Sequence, residues 1–291
     1  MSLGARFLAV DWGTTNRRIY RIEDGMIADR LHDARGVKSV ARDAYPAEIA
    51  AMRTRFGDLP VLMAGMVGSS IGWRDAGYVA APAGLEAIAA GLAWIDARTA
   101  LVPGVSVVDN GRGDVMRGEE VQLFGAVTAG LAPPDALLVQ PGTHCKWAEM
   151  AAGRIARFTT AMTGELFALL RGQSILAPQL GGAVTAGPAF LDGVAAARDQ
   201  GLAAALFGVR AAGLLGLRDD TEAAAYTSGL LIGADVDAAL RTFVHREVHL
   251  LADPALGALY AAATTAHGRT VQRVDSEAAF IAGITAIGAL T

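Results

Sequence analysis

The chain has 291 residues, 53% of them hydrophobic, and a formal net charge of −4 at pH 7. This length can bury one or two substantial cores, and we expect two domains. The mildly acidic charge, without a Lys/Arg-rich run, excludes the electrostatic surface of a protein that binds nucleic acid or an anionic membrane, so we expect a small-molecule partner.

Hydrophobic periodicity predicts strands and helices in a largely alternating order. The predicted strands are 5–11, 17–23, 26–31, 60–64, 105–109, 136–140, 146–151, 154–159, 246–251 and 270–274. The predicted helices are 45–56, 117–130, 164–171, 188–200, 203–215, 222–245, 254–267 and 277–289. Three strands joined by tight turns begin each half of the chain, which predicts an α/β fold of mixed sheets flanked by helices.

The best domain boundary is the stretch 129–135, where two prolines follow a helix. We therefore predict an N-terminal domain over 1–132 and a C-terminal domain over 133–291, with the alternative that the last helix packs back on the N-terminal domain. The single cysteine, Cys145, excludes an internal disulfide and fits a reducing cytoplasm. No stretch approaches about 18 uninterrupted apolar residues, so a soluble cytoplasmic protein is expected.

A strand, a Gly-Thr turn and a second strand occur twice, with the turns opening at Gly13 and Gly142. The two copies are too far apart for a solenoid repeat and at a distance typical of related domains. Glycine lets the backbone approach a phosphate, while N–H groups and threonine hydroxyls point at its oxygens. The pair predicts two phosphate-binding hairpins with a nucleotide between them, although either turn alone is more typical of an ordinary hairpin.

Six segments resemble the 2-dehydro-3-deoxygalactonokinases of the acetate and sugar kinase/actin superfamily. They are Ala9–Asn16 followed by Arg18, Met63–Trp73, Val115–Glu120, Pro141–Trp147, Met162–Phe167 and Ser228–Gly233. The resemblance implies two ribonuclease-H-like (actin-like ATPase) domains with an interdomain cleft that closes over ATP. It further implies phosphorylation of the 6-hydroxyl of 2-dehydro-3-deoxy-D-galactonate in galactonate breakdown.

Two other functions stay open at this point. One is a kinase for another sugar or 2-keto sugar acid, and the other is a non-catalytic nucleotide sensor, as some actin-like folds are. The acidic segment 109–120 favours a kinase, because a sensor would not need it. The sequence also leaves open whether the chain is a monomer or a homodimer.

Candidate residues for ATP and Mg²⁺ lie at the two turns. Asp11 ends the first strand, where an acid near phosphates usually holds magnesium; its counterpart in the second copy is Gln140. Positive charge toward the transferred group is expected from Arg18 or Lys146, which could instead lie on a solvated strand face. His144 could equally be satisfied by the backbone of its own turn. The expected cofactor-binding set is Asp11, Gly13, Thr14, Thr15, Arg18, Gly142, Thr143, His144 and Lys146.

Two acids are candidates for the base that accepts the substrate's hydroxyl proton. Asp114 is placed in a glycine-rich loop after an apolar strand, and superfamily sugar kinases carry an Asp at the corresponding strand-to-helix turn. Glu119 follows closely, because it belongs to the more diagnostic Arg117-Gly-Glu-Glu run. For Glu120 we favour a structural role, in which its charge complements the helix macrodipole.

The segment 63–74 is the expected sugar-acid site, because small residues and hydroxyls suit a polyhydroxy acid. Arg74 could pair with the carboxylate of the substrate, and the rings of Trp12 and Trp73 could form the walls of the pocket, although both rings could equally be core. The other candidate contacts are Gly65, Ser69 and Ser70. One departure concerns adenosine: the turn after the strand 246–251 is Ala252-Asp253, where a glycine is expected, so no adenine contact is assigned.

Overall fold

The computed structural model describes residues 3–109, 111–199 and 201–291. Within them the chain divides into two compact units. The first contains the residues up to Asp135 together with Met150–Phe158 and Asp275–Thr291, and the second contains Ala136–Glu149 and Thr159–Val274. The C-terminal segment is therefore grouped with the first unit. In the described ranges no helix combines the length and the apolar character that crossing a membrane requires.

Six strands form the main sheet of the first unit: β1 (Arg6–Trp12), β2 (Arg17–Glu23), β3 (Met26–Asp33), β4 (Val61–Ala64), β6 (Ala93–Asp96) and β7 (Thr99–Leu101). Their order is β3-β2-β1-β4-β7-β6. β1 is antiparallel to β2 and parallel to β4. Its residues 7–10 are an apolar run buried on both faces, which is typical of a central strand covered by helices.

A smaller sheet and four helices complete the first unit. The sheet joins β5 (Tyr78–Ala80), β8 (Gly104–Asp109) and β9 (Arg112–Met116) in the order β5-β8-β9. The helices are α1 (Tyr45–Phe56), α2 (Leu85–Ala90), α3 (Glu119–Thr128) and α9 (Ser276–Ala289).

A second sheet has five strands and is accompanied by five helices; its residues within Met150–Phe158 are grouped with the first unit, and the others belong to the second. Its strands β10 (Ala136–Gln140), β11 (Cys145–Ala151), β12 (Arg154–Ala161), β13 (Glu247–Leu251) and β14 (Thr270–Val274) follow the order β12-β11-β10-β13-β14. The helices are α4 (Thr163–Gln173), α5 (Pro188–Asp199), α6 (Leu202–Leu214), α7 (Asp220–Thr242) and α8 (Pro254–Ala266). Aspartates at the N-caps of α7 and α8 accept bonds from the first amides of their helices, which explains where these helices begin.

The structure confirms the predicted helices and strands to within a few residues at each end. It adds α2, β5, β6, β7 and β9, which are too short to show a hydrophobic period. The interpretation of 109–114 as a glycine-rich loop is wrong. Arg112 pairs with Asp109 across a β8–β9 hairpin, because Gly111 adopts the positive φ that a tight turn requires.

Helices α3 and α9 pack backbone to backbone. A Cβ on Gly283 would lie 1.9 Å from the carbonyl oxygen of Val121, and one on Gly125 would lie 1.7 Å from that of Ala279. Only glycine permits this approach, because any side chain would force the helices apart. The last helix is therefore attached to the first unit through α3, the helix that begins with Glu119 and Glu120.

We expect Gly283→Ala to lower the free energy of unfolding by about 1–3 kcal/mol or more, because the added methyl group overpacks this contact. Gly208→Ala, in the exposed part of α6, meets no neighbouring atom and should raise stability by up to about 1 kcal/mol through helix propensity. Urea denaturation of the two variants measures both effects. Equal stability of Gly283→Ala and the unsubstituted protein would contradict the close α3–α9 packing.

Candidate functional site

The first hairpin turn is held by a neighbouring segment. The amide of Gly13 donates to the carbonyl of Asn16 at 2.9 Å, and the carbonyls of the turn accept bonds from the amides of 36–38 at 3.0 to 3.2 Å. A Cβ on Gly36 would lie 2.4 Å from the carbonyl oxygen of Thr14, so the two segments touch through their backbones. These carbonyls, which would repel an anion, are turned toward 36–38.

Asp11 and Arg18 form an ion pair at the ends of β1 and β2. They lie opposite each other in the strand register, with Nη1 of Arg18 2.9 Å from Oδ2 of Asp11. Burial raises the pKa of the Asp11 carboxyl above its ordinary value, and the charge of Arg18 opposes this shift. Arg17 points to the other face, where its buried guanidinium pairs with Asp33 and Glu48. The alternation of the strand thus leaves Arg18 as the exposed cation.

A single carboxylate fits the chemistry of a magnesium–nucleotide site. Mg²⁺ in such sites keeps several waters and takes one or two carboxylates plus phosphate oxygens. In the part of the chain that the structure describes, no group of three or more acidic, histidine or cysteine side chains could enclose a metal ion. Asp11 as the residue that holds the metal stays a prediction.

Three loops of the first unit converge on two glycines. Gly65 has a φ of 92°, and a Cβ there would lie 2.9 Å from the carbonyl oxygen of Trp12. Gly118 has a φ of 104°, and a Cβ there would lie 3.0 Å from the Cα of Gly65. Both positions favour glycine, because an L side chain would be strained and crowded. The N-terminus of α3 thus lies beside the ends of β1 and β4.

The two candidate bases occupy different places relative to this convergence. Glu119 is the first residue of α3, directly after Gly118, and its Oε2 accepts a bond from the amide of Arg117 at 2.9 Å. Asp114 lies within β9 opposite Val107, away from the strand-to-helix turn where the sequence analysis placed it. The hairpin accounts for the difference, because it carries the chain on to Met116 before the turn begins.

Glu120 is fully buried at the start of α3. Its Oε2 accepts a bond from the amide of Gly118 at 2.7 Å, while its Oε1 has no hydrogen-bond partner among the described residues. Burial, with the neighbouring charge of Glu119, raises the pKa of Glu120 from 4.5 to about 8. The Glu120 carboxyl therefore acts in the interior, where it accepts a hydrogen bond from the backbone amide of Gly118. An exposed glutamate at a helix end would not have this role.

The predicted sugar-acid loop contains both exposed and buried members. Ser70 and Arg74 are exposed. Ser69 is buried, and its hydroxyl donates to the carbonyl of Met66 at 2.7 Å. Trp73 is half-buried and stacks on Tyr45 with ring centroids 5.5 Å apart.

Trp12 is fully buried, and its indole N–H donates to the carbonyl of Arg35 at 2.8 Å. Its ring meets that of Tyr45 edge to face at 5.1 Å. Trp12 is therefore a core residue in this structure, which corresponds to the alternative named for it above. Its contact with a substrate stays a prediction.

Arg117, for which no role was predicted, is hydrogen-bonded to the segment that follows the predicted sugar-acid loop. Its buried side chain lies over the ring of Tyr78 at 4.4 Å, and its Nη2 donates to Asp75 and to the carbonyl of Gly77 at 3.2 and 3.1 Å. Its Nη1 would lie 3.2 Å from a Cβ on Gly68. The sequence feature that could have indicated a role for Arg117 is its position directly before the glycine of the Arg-Gly-Glu-Glu run.

The second hairpin turn is held by the start of α4. A Cβ on Gly164 would lie 2.3 Å from the carbonyl oxygen of Gly142, and the amide of Glu165 donates to the carbonyl of Thr143 at 2.9 Å. The side chains of His144 and Glu165 meet at 2.6 Å. Sequence reasoning missed the roles of Gly164 and Glu165, although both lie in one of the six resembling segments.

Lys146 follows this turn in β11, where its side chain is buried. Its Nζ donates to the hydroxyl of Thr160 on the neighbouring strand at 2.8 Å. The solvated strand face named as an alternative is therefore wrong for Lys146. Its role toward phosphate stays a prediction.

A pocket of about 220 Å³ adjoins the second turn within the second unit. Its walls come from α4, α7 and α8, and Gly142 of the hairpin forms one edge. The walls are mainly apolar with a few polar groups, a composition typical of small-molecule sites. The remaining lining residues are Thr163, Gly164, Phe167, Arg171, Val184, Ser228, Leu231, Ile232, Leu256, Leu259 and Tyr260.

Comparisons with known proteins identify chains that are similar over nearly the whole length of this one. A family model described as 2-keto-3-deoxy-galactonokinase matches residues 11–287. The 2-dehydro-3-deoxygalactonokinase of Escherichia coli (strain K12) is 36% identical over 288 residues, which cover 97% of each chain. A probable 2-dehydro-3-deoxygalactonokinase of Rhizobium meliloti (strain 1021) is 36% identical over 98% of this chain and 97% of its own.

Solved structures share the fold. A crystal structure from Sinorhizobium meliloti, described as a candidate 2-dehydro-3-deoxygalactonokinase, superposes with a TM-score of 0.91, 36% identity and 97% coverage of both chains. An activator of 2-hydroxyisocaproyl-CoA dehydratase from Clostridium difficile, with bound ADPNP, has a TM-score of 0.52 at 11% identity, over 98% of this chain and 95% of its own. The second likeness concerns the fold alone. The predicted α/β, actin-like class is confirmed.

The raised pKa of Glu120 predicts a pH dependence of stability. A carboxyl whose pKa is higher in the folded than in the unfolded protein stabilises the fold fully below about pH 4.5, and this contribution is lost as the pH rises through about 8. Urea denaturation at about pH 6 and about pH 9 should show a loss on the order of 2 kcal/mol that is absent in Glu120→Gln.

The matched control is Glu86→Gln, which removes an exposed glutamate from the first turn of α2. It should keep the pH dependence of the unsubstituted protein. An unchanged pH dependence in Glu120→Gln would show that another group causes the loss.

Proposed function

The chain belongs to the 2-keto-3-deoxy-galactonokinase family, and on this premise we propose that it phosphorylates the 6-hydroxyl of 2-dehydro-3-deoxy-D-galactonate with ATP, as a step in galactonate catabolism. The observation that carries the proposal is the family match over residues 11–287. ATP as the donor and the single cysteine support activity in the cytoplasm.

The pocket beside Gly142 supports the binding of the nucleoside of ATP. Its apolar walls suit the faces of a flat base, and the hydroxyls of Ser228 and Thr163 offer polar contacts. The phosphates would extend along the adjoining turn, where the amides of Thr143 and His144 and the hydroxyl of Thr143 would donate to them. The start of α4 holds that turn in place, so the turn and the pocket beside it are preorganised within one unit.

Asp11 is the residue that would hold Mg²⁺, directly or through water. The metal supplies neutralisation of the charge that accumulates on the phosphates during transfer. Thr14 and Thr15 lie in the adjoining turn and would donate to phosphate oxygens. Arg18 is the exposed cation of this turn, and its guanidinium would add positive charge at the same place.

Glu119 is the base that the geometry favours. It directly follows Gly118, where the loops from β1 and β4 converge on the start of α3. From there its carboxylate would accept the proton of the 6-hydroxyl as the oxygen attacks phosphorus. Asp114 is the second candidate, and its place within a strand makes it less suited to reach a substrate beside Gly65.

The exposed members of the loop 65–74 support recognition of the sugar acid. Arg74 would pair with the carboxylate of the substrate, and the hydroxyl of Ser70 would bond to one of its hydroxyls. The ring of Trp73, which stacks on Tyr45, would pack against the carbon chain of the sugar acid. The backbone of Gly65 would face the substrate next to the base.

Glu119→Gln should lower kcat by about 100- to 10,000-fold, because it removes the proton-accepting charge and keeps the shape of the side chain. Asp114→Asn should stay within about tenfold of the unsubstituted rate, since a distant carboxylate contributes little to the barrier. Steady-state release of ADP measures both variants, and melting temperatures establish that they are folded. The reverse ranking would assign the base to Asp114.

Release of ADP should be faster with 2-dehydro-3-deoxygalactonate than with gluconate, glucose or glycerol, because Arg74 has no carboxylate partner in the neutral compounds. Gluconate has the carboxylate but lacks the 2-keto and 3-deoxy groups, so it tests whether the enzyme recognises those groups in addition to the charge. The measurement is kcat/KM for each compound at saturating magnesium–ATP. Comparable values for glucose would contradict the sugar-acid assignment.

A further inference from the structure

A buried carboxylate connects the walls of the pocket in the second unit. Asp235 lies in α7 and is 8% exposed. Its Oδ1 accepts a bond from the indole N–H of Trp147 at 3.0 Å. Its Oδ2 accepts bonds from the hydroxyls of Thr163 and Tyr260 at 2.8 and 2.6 Å.

Each donor comes from a different element. Trp147 belongs to β11, the strand that leaves the second hairpin turn, while Thr163 begins α4 and Tyr260 lies in α8. Because Asp235 itself belongs to α7, one side chain ties together four elements of the unit. The donors also hold the carboxylate in one orientation, since each oxygen has its own partners.

Two of the donors line the pocket. Thr163 and Tyr260 both face it, whereas Asp235 is not among its lining residues. Thr163 is followed by Gly164, which touches the carbonyl of Gly142 in the turn. The position of Thr163 therefore sets both a wall of the pocket and the contact that holds the turn.

Stability alone is a weak explanation for this carboxylate. Burial raises the pKa of Asp235 above its ordinary value, and the bonds from Tyr260, Thr163 and Trp147 oppose the shift without overcoming it. Apolar residues of similar volume commonly stabilise such a core equally well. The network instead fixes the positions of its donor side chains, because a buried polar network whose members are all hydrogen-bonded makes a core rigid and specifies one arrangement.

We propose that Asp235 is a positioning residue of the nucleotide pocket: its carboxylate holds Thr163 and Tyr260 where they line the pocket beside Gly142. This inference rests on the proposed binding of ATP there. Asp235 acts through its two donors and does not touch the nucleotide. Loss of its charge should weaken nucleotide binding and leave the affinity for the sugar acid unchanged.

The test compares Asp235→Asn, Tyr260→Phe and the double variant by calorimetric titration with a non-hydrolysable ATP analogue. Asn keeps the shape of the side chain but replaces one accepting oxygen with a donor that faces other donors. The Kd of each single variant should rise about tenfold or more. The factor by which the Kd rises in the double variant should be smaller than the product of the two single-variant factors, because both changes break the same contact.

The matched control is Val236→Ala, at the next position of α7. Val236 is fully buried in the same core and does not line the pocket. Its truncation destabilises the unit through a cavity, and the nucleotide Kd should stay within about twofold. In kinetics, Asp235→Asn should raise KM for ATP and leave KM for the sugar acid unchanged, a split that general destabilisation would not produce.

A Kd of Asp235→Asn equal to that of the unsubstituted protein would overturn the inference and leave the proposed function intact. Absence of nucleotide binding in the unsubstituted protein would overturn both. If Asp235→Asn fails to fold, Thr163→Val and Tyr260→Phe take its place. Unchanged binding in both of these variants would equally overturn the inference.

Discussion

Close approach of one backbone to another is the constraint on which the candidate site residues of each unit depend. In the first unit, Gly65 and Gly118 let the ends of β1 and β4 meet the start of α3. In the second unit, Gly164 lets α4 begin against the carbonyl of Gly142. A side chain at any of these positions would meet backbone atoms, which cannot move aside as the end of a flexible side chain can. In each unit the close contact therefore requires a residue without a side chain.

Each unit also buries a carboxyl next to this contact, and the two are satisfied differently. Asp235 receives side-chain donors from three elements, among them Trp147, Thr163 and Tyr260. Glu120 receives the amide of Gly118, while its second oxygen has no partner among the described residues. Burial raises the pKa of both groups; side-chain donors oppose the shift at Asp235, and backbone amides, including that of Gly118, oppose it at Glu120. Asp235 is consequently suited to hold other side chains, and Glu120 to hold the backbone of its own turn.

Likeness of fold and likeness of family support different conclusions. The dehydratase activator shares the fold at 11% identity, and a fold of this class carries many unrelated activities. The kinases from Escherichia coli and Rhizobium meliloti match nearly the whole chain at 36% identity. The family therefore supplies the reaction, and the arrangement around Gly118 and Gly142 supplies the physical account of how this chain would perform it.

The sequence by itself determined the fold class, the longer helices and strands, and the two Gly-Thr hairpins, because hydrophobic periods and turn residues act over short stretches of chain. It identified Asp11 at a strand end and Glu119 at a helix start for the same reason. It could not show that Trp12 is core or that Asp114 lies in a strand, since both depend on which segments pack against them.

Only the tertiary structure decided which distant residues meet. The contacts of Gly118 with Gly65 and of Asp235 with Tyr260 join residues that no local pattern relates. The attachment of α9 to α3 is of the same kind, because it depends on two glycines in helices at opposite ends of the chain. Such contacts follow from the complementary shapes of packed elements, and a linear pattern does not encode them.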